Sequence, residues 1–137
     1  DLAHIPANAT VTSAVLRLYP FQAGNPATLK AYKVNRPWDE TTATWIKATA
    51  ATNWATAGCL SVPGDHAGDL AASAPLTTAG AWVALDLTAL AQLWVANPES
   101  NQGVVLLPEG GTSFYFASAQ YSDPSKRPQF QISYTVP

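Results

Sequence analysis

The stretch Gln129-Phe130-Gln131-Ile132-Ser133-Tyr134 alternates polar and apolar side chains from its first residue to its last. Successive side chains of a β-strand point to opposite faces, so this alternation predicts a strand with one face in a core and the other in water. The earlier stretch Ser113-Phe114-Tyr115-Phe116-Ala117-Ser118 has a related pattern. Two strands are therefore predicted to close the chain.

Four more short runs, bounded by Gly, Pro and Asn, have the composition of strands: residues 14–19, 28–34, 81–87 and 103–108. The run at 103–108 is continuously apolar between its Gly and its Pro, which predicts a strand buried on both faces. Residues 36–78 are rich in Ala, Thr and Trp and are broken by Gly and Pro. They predict a long, loop-dominated connection with one or two short strands.

One segment has a helical period: Thr88 can cap a helix that ends at Asn97-Pro98, and its apolar residues recur three and four positions apart. Many short strands and one small helix predict an all-β fold, an antiparallel jelly-roll-type β-sandwich with one short crossover helix. The chain has no internal repeat and no linker. Residues 1–137 are therefore predicted to form a single β-sandwich module.

The charge and hydropathy of the chain argue against two classes of partner, nucleic acids and the membrane interior. Charged residues make up 12% of the chain and the net charge is −2, so it lacks the basic stripe of a nucleic-acid-binding domain. No apolar run reaches the roughly 18 residues that indicate a membrane span. Neutral polar residues must cover the surface instead, as is common on extracellular β-domains.

Motifs for catalysis are missing from the sequence. The two histidines, His4 and His66, have no metal-ligand spacing, and there is no nucleophile elbow, phosphate loop or Cys-x-x-Cys. The chain is therefore predicted not to be an enzyme. Cys59, the single cysteine, is predicted to pack as a small apolar residue, with a reactive thiol or a bridge to another molecule as the alternatives.

Several residues have structural interpretations. Glu40, which lies between two tryptophans, is predicted to anchor its loop by accepting backbone N–H bonds. Trp45, Trp82 and Trp94 lie beside apolar positions and are predicted to be core residues. Asp86 precedes the predicted helix, where capping and the helix dipole explain a carboxylate.

The segment Gly64-Asp65-His66-Ala67-Gly68-Asp69 has the oxygen-rich, glycine-punctuated composition of a calcium loop. It lacks the full ligand spacing and the closing bidentate Glu, so a plain turn is favoured over a Ca²⁺ site at Asp65 and Asp69. No other cofactor is predicted.

The five tryptophans exceed what a core of this size requires. Trp38 and Trp54 fall in the loop-rich region, and Tyr121 falls in a polar one. A flat exposed aromatic ring can bury the C–H face of a sugar while polar neighbours, here Asp123 and Arg127, satisfy its hydroxyls. These five residues are the candidate ligand site. The alternative is that the aromatic rings only cover the ends of the sandwich.

The order of several landmarks along the chain resembles the DNRLRE domain, a family that overlaps carbohydrate-binding module family 96 and is related to disaggregatase-associated repeats. The landmarks are Trp38-Asp39-Glu40, Leu85-Asp86-Leu87-Thr88, Asn101-Gln102-Gly103 and Arg127-Pro128-Gln129. The resemblance implies a secreted or surface-attached jelly-roll, with polysaccharide binding in some members. It also implies that Asn101, Gly103 and Pro128 are structural, because such landmarks mostly fix turns and core.

Two features depart from the family pattern. Members often carry an acidic residue where this chain has Gln120, and the family domain usually begins some tens of residues earlier, so the module is expected to be N-terminally incomplete. Incomplete sheets expose strand edges that neighbouring chains can pair. The sequence thus predicts an extracellular or cell-surface carbohydrate-binding, adhesive module. The alternative is a structural subunit of a fibre or surface layer, in which neighbouring copies exchange strands and form a homopolymer.

Overall fold

A computed structural model describes residues 2–137 of the chain. These residues form eight strands, one α-helix and two single-turn 3₁₀ helices at Pro98–Ser100 and Pro124–Lys126. The strands are β1 (Thr10–Leu18), β2 (Pro20–Gln22), β3 (Ala27–Val34), β4 (His66–Leu76), β5 (Val83–Asp86), β6 (Val104–Glu109), β7 (Tyr115–Phe116) and β8 (Gln129–Thr135), and the helix is α1 (Thr88–Ala96).

All strand pairs are antiparallel and fall into three groups. One sheet has the order β5-β1-β8, a second has the order β4-β3-β6, and β2 and β7 form a two-stranded ribbon. The prediction of a mostly β protein with antiparallel sheets and one short helix is confirmed. No helix within residues 2–137 has the length and apolar character of a membrane span.

Side chains from both three-stranded sheets share one hydrophobic cluster. Apart from Leu87, which follows β5, its buried members come from β1, β3, β4 and β5 and include Leu18, Leu29, Leu76 and Leu85. β4 and β5 also pack against each other at one side of this cluster. The chain passes from one sheet to the other through α1, which lies between β5 and β6.

A second cluster joins α1 to the N-terminal segment and β1, through Ile5, Val11, Ala14 and Val95 among others. The pairing of β1 with β8 shifts register between Val11 and Ser13. Such a bulge leaves backbone groups of the strand without ladder partners.

Two side chains of α1 satisfy the backbone at this irregular part of β1. Gln92 Oε1 accepts from Val11 N at 2.8 Å, and Gln92 Nε2 donates to Ala9 O at 3.2 Å. Thr88 Oγ1 accepts from Ala14 N at 3.0 Å. Thr88 is therefore not the helix cap that was predicted; Leu87 is at the N-cap position, and Thr88 binds β1.

Asp86 binds the first residue of the helix, although Leu87 and not Asp86 is at the N-cap position. Its Oδ1 accepts from Thr88 N at 2.9 Å and from Thr88 Oγ1 at 2.6 Å. The side-chain bond from Thr88, followed by the backbone bond, lowers the pKa of Asp86. The carboxylate thus fixes the turn in which β5 becomes α1.

Two predictions about strands are wrong. The run at 103–108 was expected to be buried on both faces, but residues 104–107 of β6 are only half-buried because β6 is an edge strand paired with β3 alone. The connection at 36–78 ends in β4, which is the longest strand and pairs with most of β3. Its composition is poor in β-branched residues, so pairing with β3 overrides a weak local preference.

The tryptophans predicted to be core residues differ in burial. Trp94 is 4% exposed, which confirms its prediction, whereas Trp45 is 67% exposed, which contradicts it. The Trp45 ring packs against Gly58 of the same loop, where an added Cβ would overlap the indole, and not in the core. Trp82 is half-buried and packs edge-on against Tyr19, with centroids 5.4 Å apart.

Candidate functional site

Residues 35–65, here named the tryptophan loop, connect β3 to β4 and carry three of the five tryptophans. The two ends of this loop are joined at its base. Asn35 N donates to Asp65 O at 2.9 Å, and Asn35 Nδ2 donates to Pro63 O at 2.9 Å. Long ordered loops on a β-scaffold are common places for binding residues.

The carboxylate of Asp65, which is fully buried, holds the loop together. It accepts backbone N–H bonds from Ala55 at 2.8 Å, Thr56 at 2.9 Å and Ser61 at 3.1 Å, and it pairs with Arg36 at 3.3 Å. Burial alone would raise the pKa of Asp65, but these bonds together outweigh it and hold the pKa below its usual value. Asp65 is thus a structural anchor.

The two aspartates that were weighed as calcium ligands have different surroundings. Asp65 already uses both oxygens in hydrogen bonds, while Asp69 is exposed on β4. Within residues 2–137 no three His, Cys, Asp or Glu side chains come together as a metal would need. The segment is a turn that leads into a strand, and calcium binding there stays a prediction without structural support.

Cys59 is 5% exposed and lies in the same loop. Burial, followed by the nearby Asp65 carboxylate, raises the pKa of its thiol to about 11. A thiol that stays protonated at neutral pH is a poor nucleophile. The structure therefore favours the packed apolar interpretation of Cys59 over the reactive one.

A hydrogen bond fixes the Trp38 side chain near the start of the tryptophan loop. Its Nε1 donates to Gln102 O at 2.8 Å, and the side chain is 42% exposed. Gln102 belongs to a turn in which Asn101 Oδ1 accepts from Gly103 N at 3.2 Å, and Gly103 has a φ of 77° that favours glycine. Asn101 and Gly103 thus have the structural roles predicted for them, and Pro128 directly precedes β8.

Trp38 lines a polar depression of about 450 Å³, the Trp38 cleft. Its lining includes Trp38, Glu40, Trp94, Asn101 and Gln102. The cleft combines an exposed aromatic ring with a carboxylate and two side-chain amides. Beneath it, the buried Nε1 of Trp94 has no hydrogen-bond partner among residues 2–137.

The prediction for Glu40 is wrong, because its neighbour Asp39 anchors the turn. Asp39 Oδ1 accepts from Thr41 N at 2.8 Å and from Thr41 Oγ1 at 2.7 Å, and the Thr41 side chain is the main cause of its lowered pKa. Glu40 is exposed and makes no hydrogen bond or ion pair with any residue that the structure describes. Its carboxylate is left available at the cleft.

Trp38 also lines an apolar depression of about 330 Å³, the apolar groove. Trp54, Ala43 and the β6 residues Val104 and Leu106 line it too. Trp54 is fixed by its Nε1, which donates to Thr44 O at 3.0 Å. The structure therefore brings together the two candidate tryptophans of the loop.

The other three candidate residues, Tyr121, Asp123 and Arg127, form a separate group. Tyr121 stacks on Phe21 with centroids 5.3 Å apart, and its carbonyl accepts from Arg127 Nε at 2.9 Å. Asp123 Oδ1 accepts from Ser125 N at 3.0 Å. Their polar atoms serve a local turn, and none of the three lines the Trp38 cleft or the apolar groove.

Reasoning from the sequence missed the amides of the cleft. Asn101 was assigned a turn only, and Gln102 had no assigned role. Both amides follow the 3₁₀ turn after α1, whereas Glu40 lies about sixty residues earlier in the sequence. The spacing of these residues along the chain therefore does not predict that they line the same cleft. The available indication was that Trp38-Asp39-Glu40 and Asn101-Gln102-Gly103 are both landmarks of the same family pattern.

Comparison with known proteins identifies a family for the chain. The chain has no match among curated proteins or solved structures. The family model described as carbohydrate-binding module family 96 matches residues 1–134. Modules of this kind are typically non-catalytic, although they also occur within enzymes. The chain belongs to carbohydrate-binding module family 96.

Proposed function

We propose that this chain is an extracellular, adhesive module that binds a polysaccharide across Trp38 without acting on it. One observation carries the proposal: the partly exposed Trp38 lines both a polar cleft and an apolar groove. Family membership supports a carbohydrate ligand, and the small charged fraction of the chain supports an extracellular location.

The chemistry of sugars suits both the Trp38 cleft and the apolar groove. A pyranose has an apolar C–H face, which an indole buries, and a rim of hydroxyls, which need hydrogen-bond partners. Trp38 and Trp54 offer apolar surface in the groove, while Glu40 and Asn101 offer polar groups in the cleft. A polysaccharide that crosses Trp38 would use both.

We also propose that the two three-stranded sheets are the layers of a jelly-roll sandwich. Their shared hydrophobic cluster and the crossing of the chain through α1 support this arrangement. Under this proposal the tryptophan loop lies at one end of the sandwich, as binding loops often do.

Retention on a panel of soluble and insoluble polysaccharides tests the proposed function. The parent chain is expected to bind at least one, and Trp38→Ala to weaken that binding about ten-fold, because an aromatic contact of this kind is worth roughly 1.4 kcal/mol. Trp54→Ala should weaken it less. Trp45→Ala is the matched control, because Trp45 is more exposed than Trp38 but lines neither depression.

Two outcomes would contradict the proposal. Failure of the parent chain to bind any polysaccharide of a broad panel would remove the function itself. Loss of binding in Tyr121→Ala but not in Trp38→Ala would move the site to the group of Tyr121, Asp123 and Arg127. Circular dichroism of each variant checks that the fold is kept.

A second candidate, a structural subunit of a fibre or surface layer, rests on the open strand edges. β1 is paired on both sides, whereas β6 and β8 each have one free edge. Near β6 a depression of about 350 Å³ reaches the core residues Leu29 and Leu76. Free edges beside an accessible core are surfaces that a strand from a neighbouring copy can pair with and cover.

A further inference from the structure

The side chains of the apolar groove differ in chemistry from those of the Trp38 cleft. Each described residue that lines the groove has an aliphatic, aromatic or thiol side chain. The thiol is that of Cys59, which stays protonated at neutral pH because its pKa is raised to about 11. A buried, protonated cysteine behaves as a small apolar residue. The side chains of the groove therefore offer a ligand an apolar surface.

The two tryptophans of the groove already use their polar atoms. Trp38 Nε1 donates to Gln102 O at 2.8 Å, and Trp54 Nε1 donates to Thr44 O at 3.0 Å. An indole has one N–H donor and no acceptor. Both side chains thus present ring surface to a ligand. The same two bonds fix the rings, which reduces the conformational entropy that binding would cost.

The hydroxyl rim of a sugar finds no side-chain partner in this groove. A hydroxyl that moves from water into apolar surroundings without a partner costs free energy. An acetyl ester in its place removes the O–H donor and adds a methyl group, whose burial is favourable. Because Trp38 lines both depressions, one sugar unit there can direct hydroxyls to the polar cleft and an ester to the groove.

Resting on the proposed function, we infer that the apolar groove takes the acetyl substituent of an O-acetylated polysaccharide, whose hydroxyls bind in the Trp38 cleft. Ala43 and Val104 set this preference, because both line the groove and neither lines the cleft. One acetyl ester is expected to strengthen binding about four-fold, the gain that corresponds to burial of one methyl group.

Affinity electrophoresis in gels that contain one polysaccharide each tests this inference. The probes are glucomannan, xylan and polygalacturonate, each in an O-acetylated form and in a form de-esterified with mild alkali. The two forms share a backbone, so they differ only in the ester. The parent chain should bind the acetylated form of at least one probe about four-fold more tightly than its de-esterified form.

Two variants change the groove in different ways. Ala43→Leu fills it and should make the two forms of a probe bind equally, without weakening the de-esterified form. Val104→Thr keeps the shape of the side chain, adds a hydroxyl and should reduce the preference. The matched control is Ala51→Leu, at an exposed residue of the tryptophan loop that lines neither depression, and it should keep the full preference. Circular dichroism checks the fold of each variant.

The results separate this inference from the function on which it rests. Equal or stronger binding of the de-esterified form by the parent chain, abolished by Trp38→Ala, would overturn the acetyl preference and leave the proposed function standing. A preference that persists in both Ala43→Leu and Val104→Thr would also overturn it, because another surface would then bind the ester. Passage of the parent chain through all six gels unretarded would overturn both.

Discussion

At the scale of single residues, the shape of the tryptophan loop depends on the buried Asp65 carboxylate. A loop of this length has many backbone N–H groups and few ladder partners for them. Asp65 accepts from three of these groups and pairs with Arg36. It therefore stabilises the frame in which Trp38 and Trp54 are held.

Replacing Asp65 with alanine is expected to lower the free energy of unfolding by about 3 kcal/mol, because three buried donors lose their acceptor. Urea unfolding at neutral pH measures this loss. Asp69→Ala, an exposed carboxylate on the adjoining strand, is the matched control and should stay within about 0.5 kcal/mol of the parent. Equal effects of the two substitutions would contradict the anchoring role.

The same residue predicts a pH dependence. Because the pKa of Asp65 is lower in the folded chain than its ordinary value, its stabilising contribution is complete above the unfolded pKa, about 4. That contribution is lost as the pH falls through the folded pKa. Urea midpoints measured from neutral to acid pH should fall more steeply for the parent than for Asp65→Ala; parallel curves would contradict this.

The role of a residue could be predicted from the sequence when its partner lies close to it along the chain. Asp86 could be placed at the start of the helix because its partner, Thr88, lies only two residues away. The anchoring role was predicted for Glu40, but Asp39 has it. Both are acids in one turn, and only the geometry of the turn decides which of them accepts from Thr41. Trp45 was wrongly predicted to be a core residue because its packing partner is Gly58, thirteen positions further along the loop.

At the scale of elements, α1 is joined to β1 by hydrogen bonds as well as by apolar packing. Gln92 bridges the strand at Ala9 and Val11, where its ladder is irregular. Periodicity identified the helix and most strands because each uses one local pattern. It missed β4, whose small side chains give little alternation, and it could not reveal that β6 is an edge strand.

Gln92→Ala is expected to lower the free energy of unfolding by about 2 kcal/mol, since Val11 N and Ala9 O both lose their partner. Leu93→Ala is the control on the same helix, because Leu93 is 46% exposed and should change stability little. Thermal unfolding followed by circular dichroism compares the two. A Gln92 variant as stable as the Leu93 variant would show that apolar packing alone holds α1 in place.

At the scale of the whole molecule, the sheets meet on one side and have free edges on the other. β4 and β5 pack together, while β6 and β8 are each paired on one side only. The order of strands in each sheet is set by contacts between distant residues, so local patterns in the sequence do not determine it. Resemblance to a family indicated the kind of fold, but it did not predict this order.

The structural-subunit candidate predicts that the chain self-associates as its concentration rises. Light scattering after size-exclusion chromatography measures this. Tyr134→Lys adds a charge beside the β8 edge and should shift the chain toward monomer. Ile46→Lys, at an exposed residue of the tryptophan loop that does not line the depression near β6, should not. A monomer at every concentration would count against this candidate.

Binding of a polysaccharide across Trp38 is tested most directly by following the five indole N–H signals in a ¹H–¹⁵N spectrum. Oligosaccharides released from the best-retained polysaccharide are added stepwise, and Trp→Phe variants assign the signals. The Trp38 and Trp94 signals should shift together and saturate, while that of Trp82, which does not line the cleft, stays unchanged. A saturable shift confined to Trp82, or none in any indole, would contradict the proposed site.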